Sequence, residues 1–191
     1  MQPATVIVDL WGAFALSWLL AAAWSRPTEK RLDLGAQLPY RLMSLAGAVV
    51  LFKPAHGYTG PLRLWMVNLG EAWACAALIA LGIAFAWWAR LHLGVLWSGS
   101  VTKKAGHRIV DTGPYAIVRH PIYTGILAAV FGTMLAKGTM WGIAGAAIIA
   151  FGLWMKARVE ERWLRQELGA DAYDAYRRRV PMLVPFGPKA D

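Results

Sequence analysis

Charge is scarce in this 191-residue chain: only 16% of its residues are charged, and 11 acids face 20 lysines and arginines. Soluble domains carry about 25% charged residues. With 58% hydrophobic residues, 11 of them tryptophan, a globule of this length has no interior large enough for its apolar surface, which excludes an aqueous fold. Cysteine is nearly absent too. Cys75 stands alone in an apolar run, which excludes an internal disulfide and a cysteine metal cluster and leaves an inert core thiol. G-x-G-x-x-G and G-x-x-x-x-G-K-[ST] are both missing, so neither a Rossmann nucleotide site nor a P-loop is supported. The net charge of +9 reads as the lysine and arginine bias of membrane-protein loops, and no nucleic-acid partner is expected.

What is present is a series of apolar stretches. Val6 to Trp24 is long enough to cross a hydrocarbon core. Ala21-Ala22-Ala23 resembles a processing site, but no basic residue precedes the run, so it reads as a retained span. A weaker span runs from Pro39, placed in a first helical turn, to Phe52. Lys53-Pro54-Ala55-His56-Gly57 breaks it, and Pro61 to Asn68 reads as a surface segment. Ala72 to Ala89, capped by Arg90, is the third span. Ile122 to Ala136 and Thr139 to Met155 are the fourth and fifth, and the two-residue link Lys137-Gly138 makes them an antiparallel hairpin. Gly138, Gly142 and Gly145 let helices approach closely, with Gly125 and Gly132 as the expected matching surface. The fold class expected is all-α: one integral membrane bundle over residues 1–191, with N-terminal helices in 1–94 and a second half in 95–191 that holds the hairpin and the C-terminal tail.

Five spans put the termini on opposite sides. Residues 25–41, 90–121 and 156–191 hold 17 lysines and arginines, against Lys53, Arg63 and Lys137 on the other side. The bias predicts an N-terminus outside and a C-terminus in the cytoplasm.

Chemistry-bearing residues flank the hairpin. Before it lies Gly113-Pro114-Tyr115, then Arg119-His120-Pro121-Ile122-Tyr123. After it come Glu160-Glu161, Tyr173-Asp174-Ala175-Tyr176 and Val180-Pro181. Lys156 to Leu168 reads as a helical continuation ended by Gly169, and Ala170 to Arg179 as a short amphipathic helix whose tail folds back over the loop.

This ordered combination, over roughly residues 95–187, resembles the isoprenylcysteine carboxyl methyltransferases; bacterial relatives and phospholipid N-methyltransferases share parts of it. The resemblance implies S-adenosylmethionine as methyl donor, S-adenosylhomocysteine as product, and a cytoplasmic cofactor-binding cap. It implies that His107, Ile109 and Val110 line an adenosine pocket and that Tyr115 touches the cofactor. His120, Pro121 and Tyr123 fall near the methionine portion, and Glu160 holds its polar end. Eukaryotic members carry an arginine four residues before that glutamate, where this chain has Lys156, and Arg158 is the candidate replacement. A helix turns about 100° per residue, so one of the adjacent acids faces the site. The family spacing selects Glu160 and leaves Glu161 toward the basic surface.

Methyl transfer from a sulfonium asks mainly for alignment and exclusion of water. No metal is needed. A carboxylate acceptor is ionised at neutral pH and needs no base. Arg119, Lys156 and Arg158 lean toward such an anionic acceptor, a lipophilic or prenylated molecule entering from the bilayer. The alternatives are N-methylation of a phosphatidylethanolamine-type lipid, S-methylation of a small thiol, and a membrane-embedded NADPH-dependent reductase. A transporter is disfavoured because the spans hold almost no charge. The orientation has a direct check in a bacterial inner membrane: a cysteine replacing Asp191 stays unreactive toward an impermeant reagent in intact cells, and labelling before lysis reverses the topology.

Overall fold

The computed structural model describes residues 1–24, 28–53, 62–97, 102–104 and 109–189. Helix α1 spans Pro3–Ala22, α2 Leu34–Phe52, α3 Leu69–Leu93, α4 Pro114–Ile117, α5 Pro121–Lys137, α6 Met140–Leu168 and α7 Ala170–Arg179. Strands β1 (Thr28–Arg31) and β2 (Thr102–Lys104) pair antiparallel, a small ribbon that the all-helical expectation omits. By length and composition α1, α2, α6 and the helix from Leu69 through Leu96 can each cross a membrane, and α5 is a shorter apolar helix.

Three boundaries move for local reasons. Helix α2 starts at Leu34, more than a turn before the expected Pro39, because Asp33 caps it by accepting from the Gly35 amide at 2.7 Å. Pro39 therefore lies inside the helix, where it removes an amide that Gly35 would otherwise receive. Helix α3 begins at Leu69 because Asn68 and Glu71 form a reciprocal capping box. It also runs past Ala89, so Arg90 does not cap it in water but lies fully buried inside its last turn. The breaker segment after Lys53 falls outside the described residues.

The helices pack in two antiparallel pairs, α3 on α5 and α2 on α6. Glycines set both approaches. A Cβ on Gly82 would sit 2.6 Å from the Gly125 carbonyl oxygen, and one on Gly145 would sit 2.6 Å from the Leu51 Cα. The expected pairing of Gly125 and Gly132 with Gly138, Gly142 and Gly145 is therefore wrong. Gly125 and Gly132 face α3, and Gly145 faces α2. The hairpin helices share a turn but spend their close-packing surfaces on different neighbours.

That turn is pinned from outside. Gly138, at φ +58°, takes the left-handed conformation that ends α5. Its carbonyl accepts from the Leu64 and Trp65 amides at 2.8 and 3.3 Å, and the Trp65 indole donates to the Leu135 carbonyl at 2.8 Å. Residues 62–68 thus form a non-helical segment over one end of the bundle. At the opposite end the α6 extension, α4 and α7 gather the chemistry. Because the α3–α5 contact has no spare volume, Gly125→Val is expected to destabilise the bundle by about 1–3 kcal/mol. Gly12→Val, on an open face of α1, is expected to leave it unchanged; thermal unfolding in detergent checks the pair, and equal losses would contradict the packing.

Candidate active site

The loop between α4 and α5 is short because Gly113-Pro114 opens α4 and Pro121 opens α5 without wasting an amide. Between them the chain is extended at Val118, and Arg119 and His120 turn inward, both buried. Their backbone amides donate to the carbonyls of Pro181 and Met182 at 2.8 and 3.1 Å, and Thr124 Oγ1 donates to the Leu183 carbonyl at 2.6 Å. The tail after α7 is therefore stitched along the loop, as expected. Tyr176 adds a buried bond from its hydroxyl to the Tyr115 carbonyl at 2.7 Å.

A chain of charges crosses this junction. Arg119 Nε donates to Glu161 Oε1 at 2.6 Å, and its Nη1 donates to the carbonyls of Arg177, at 3.1 Å, and Val180. His120 stands between the two acids, with Nε2 3.3 Å from Glu161 Oε1 and Nδ1 3.6 Å from Glu160 Oε2. Burial opposes its protonation, but the two carboxylates outweigh burial and raise its pKa above the ordinary imidazole value. Tyr123 stacks on the His120 ring at 5.3 Å, and its hydroxyl reaches both Glu160 oxygens at 2.7 Å. Lys156 completes the set, with Nζ 4.0 Å from Glu160 Oε1 and 5.1 Å from the Tyr123 ring centre.

Of these residues Arg119, His120, Tyr123, Lys156 and Glu160, but not Glu161, border a cavity of about 420 Å³, within the ~300–1,000 Å³ of small-molecule sites. Ile109, Val110, Tyr115, Arg119, His120, Pro121, Tyr123, Lys156 and Glu160 all line it. His107 lies outside the described residues. Two expectations need correction. Arg158 is exposed, lies 5.9 Å from the Trp154 ring on the outer face of α6, and does not line the cavity. Glu161 does not face the basic surface. It is 5% exposed because an arginine and a histidine converge on it from the loop, and Arg177 from α7 at 3.6 Å.

The cavity's apolar lining was not legible in the sequence. Trp18, Leu19 and Ala22 of α1, Leu93 of α3, and Leu96 and Trp97 just beyond it form one wall. In a chain this hydrophobic, wall residues read like any lipid-facing ones. Trp163, Leu164 and Leu168 of α6 and Tyr173 of α7 line it as well. Among the described residues no group of three or more histidines, cysteines or acids is placed to hold a metal.

Fold and cavity together define a multi-pass membrane protein with a polar site at the end of its helix bundle. The sequence profile of the phospholipid methyltransferase family matches residues 71–171. Protein-S-isoprenylcysteine O-methyltransferase B of Arabidopsis thaliana is 31% identical over 143 residues, covering 73% of this chain and 67% of that protein. Methanethiol S-methyltransferase 2 of Bradyrhizobium diazoefficiens is 47% identical over 73 residues, 37% of this chain and 26% of that protein. The solved structure of the eukaryotic intramembrane Ras methyltransferase, isoprenylcysteine carboxyl methyltransferase, superposes with a TM-score of 0.54 at 20% identity, covering 81% of this chain and 54% of that one. The fold is shared; the chain spans between about a quarter and two thirds of these relatives. This chain is a membrane methyltransferase, and it belongs to the phospholipid methyltransferase family, with isoprenylcysteine O-methyltransferases among its relatives.

The two acids now separate by burial. Breaking a buried ion pair by removing one charge costs about 3–5 kcal/mol. Glu161→Gln is expected to lose that much stability, and Glu160→Gln, at the cavity surface, clearly less. Thermal unfolding of both variants in detergent is the check, and a more stable Glu161→Gln would contradict the assignment of Glu161 as the anchor.

Proposed function

We propose that this chain transfers a methyl group from S-adenosylmethionine to the carboxylate of a lipophilic, isoprenylcysteine-like acceptor. The observation that carries the reading is a single cavity lined both by a held carboxylate, Glu160, and by tryptophan and leucine side chains. When bound, S-adenosylmethionine supplies an electrophilic methyl group and two positive centres. Glu160 fits that charge. Its carboxylate lines the cavity and is held by Tyr123 and Lys156, which line it too, so little reorganisation is needed when a cation arrives. Ile109, Val110 and Tyr115 fit a flat apolar ring system beside it, and the apolar wall excludes the water that would compete as acceptor.

The residues also bear on the acceptor. A thiol or amine must lose a proton first, whereas a carboxylate needs no base. His120, the obvious base, has both ring nitrogens turned to carboxylates, and Glu160 receives the Tyr123 hydroxyl on both oxygens. Lys156, which lines the cavity beside Glu160, is the cation that this reading assigns to an anionic acceptor. Arg119 is neutralised by Glu161, so it serves the loop, not the acceptor. A second reading, S-methylation of a small thiol, is favoured by the 73-residue similarity to methanethiol S-methyltransferase 2. The acceptor enters from the bilayer past α1, and the donor enters from the cytoplasm, the side the basic-residue bias gives to the C-terminus.

A methyl-transfer assay with labelled S-adenosylmethionine decides among acceptors. Prenylcysteine analogues are expected to be labelled as base-labile methyl esters, and Lys156→Gln to raise their KM about tenfold or more. Labelling of methanethiol alone would establish the thiol reading, labelling of phosphatidylethanolamine alone would move the acceptor to an amine, and no transfer to any of the three would contradict the proposal.

A further inference from the structure

Helix α1 is the least anchored wall of the cavity. Along its whole length only Pro3 is buried, yet Trp18, Leu19 and Ala22 face the ligand space. Midway, the Trp11 indole donates to Thr133 Oγ1 at 2.9 Å. At the end that matters for the cavity, a single guanidinium takes hold. Arg90 Nη2 donates to the carbonyls of Ala21 and Trp24 at 2.8 and 3.0 Å, and Nη1 donates to the Gly94 carbonyl at 2.7 Å. The last carbonyls of a helix have no intrahelical partner and carry the negative end of its dipole. Arg90 therefore serves the C-terminal ends of α1 and α3 at once.

The cost of placing an arginine there is high, since its exposure is 0% and a buried charge must be compensated by its surroundings. Trp97 and Trp24 supply part of that, with ring centres 4.3 and 5.4 Å from the guanidinium carbon. Trp97 continues into the cavity wall and meets Trp18 edge-on at 5.5 Å. The contacts run without a gap from the buried cation, through an indole, to the helix face that lines the cavity.

We propose that Arg90 is a positioning residue that locks the end of α1 against α3 and thereby sets the Trp18 and Trp97 wall of the cavity, its effect falling on the acceptor more than on a donor held at Glu160. The methylation readout rests on the function proposed above; the geometric one does not. Lysine keeps the charge but lacks a planar fork that can reach three carbonyls on two helices. Methionine removes the charge and every donor.

The test is a distance. Spin labels at Leu20→Cys and Leu91→Cys, both exposed at 71% and 57%, in a Cys75→Ala background, report the α1–α3 separation in lipid nanodiscs. The parent is expected to give one narrow distribution. Arg90→Met is expected to broaden or shift it, and Arg90→Lys to do so partly. In steady-state assays Arg90→Met should raise the KM for a prenylcysteine acceptor about tenfold while calorimetric Kd for S-adenosylmethionine stays within twofold. A parent-like distribution in either variant overturns the lock, whatever the enzyme methylates. Equal losses of donor and acceptor binding, or failure of both variants to yield folded protein, would assign Arg90 to the stability of the whole bundle and overturn the local role.

Discussion

The ion pair between Arg119 and Glu161 joins three pieces of chain at one buried point. Glu161 belongs to the helix that continues out of the last span, and Arg119 to the loop before α5. The carbonyls that Arg119 also engages belong to the last turn of α7 and its tail. Remove the carboxylate and an arginine and a histidine are left buried facing one another's charge. The loop, the helix extension and the tail would then lose their common point, and the residues that line the cavity would lose their registry. The pair contributes organisation more than favourable energy, because a buried pair roughly offsets its own desolvation.

That anchor lets Glu160 do something different one residue away. The helix points it about 100° from its neighbour, where it meets Tyr123, Lys156 and the cavity and shares only His120 with the loop. Two adjacent acids are thereby divided into one that fixes the protein and one offered to a ligand. The glycine contacts of α3 with α5 and of α2 with α6 set the scaffold on which this division rests, since α5 begins at Pro121, directly after His120.

The membrane class, the hairpin, the continued helix and the folded-back tail were legible because each leaves a local mark: apolar runs, a two-residue turn, Gly169, Val180-Pro181. The pocket side of Glu160 was legible only through the family spacing. Glu161 was not, because the sequence around it is basic and says nothing about burial; its partners come from 42 residues upstream and from α7. Arg158 was misread for the reverse reason. A cation near a motif looks functional until the helix phase turns it to the outer face beside Trp154. The α1 wall and Arg90 were invisible for a third reason. Apolar residues and a terminal arginine are what any span offers, and only the tertiary fold distinguishes a wall from a lipid-facing surface.

The central claim is that Glu160 is the ligand-facing acid of a donor site, and titration calorimetry with S-adenosylmethionine tests it most directly. Removing a charged partner from such a site costs about 2–4 kcal/mol, or roughly 30- to 1,000-fold in Kd. The account predicts binding by the unaltered protein, a loss of that size in Glu160→Gln, and a Kd within twofold of the parent in Arg158→Gln. Unchanged affinity in folded Glu160→Gln, or no binding by the unaltered protein at millimolar donor, would contradict it.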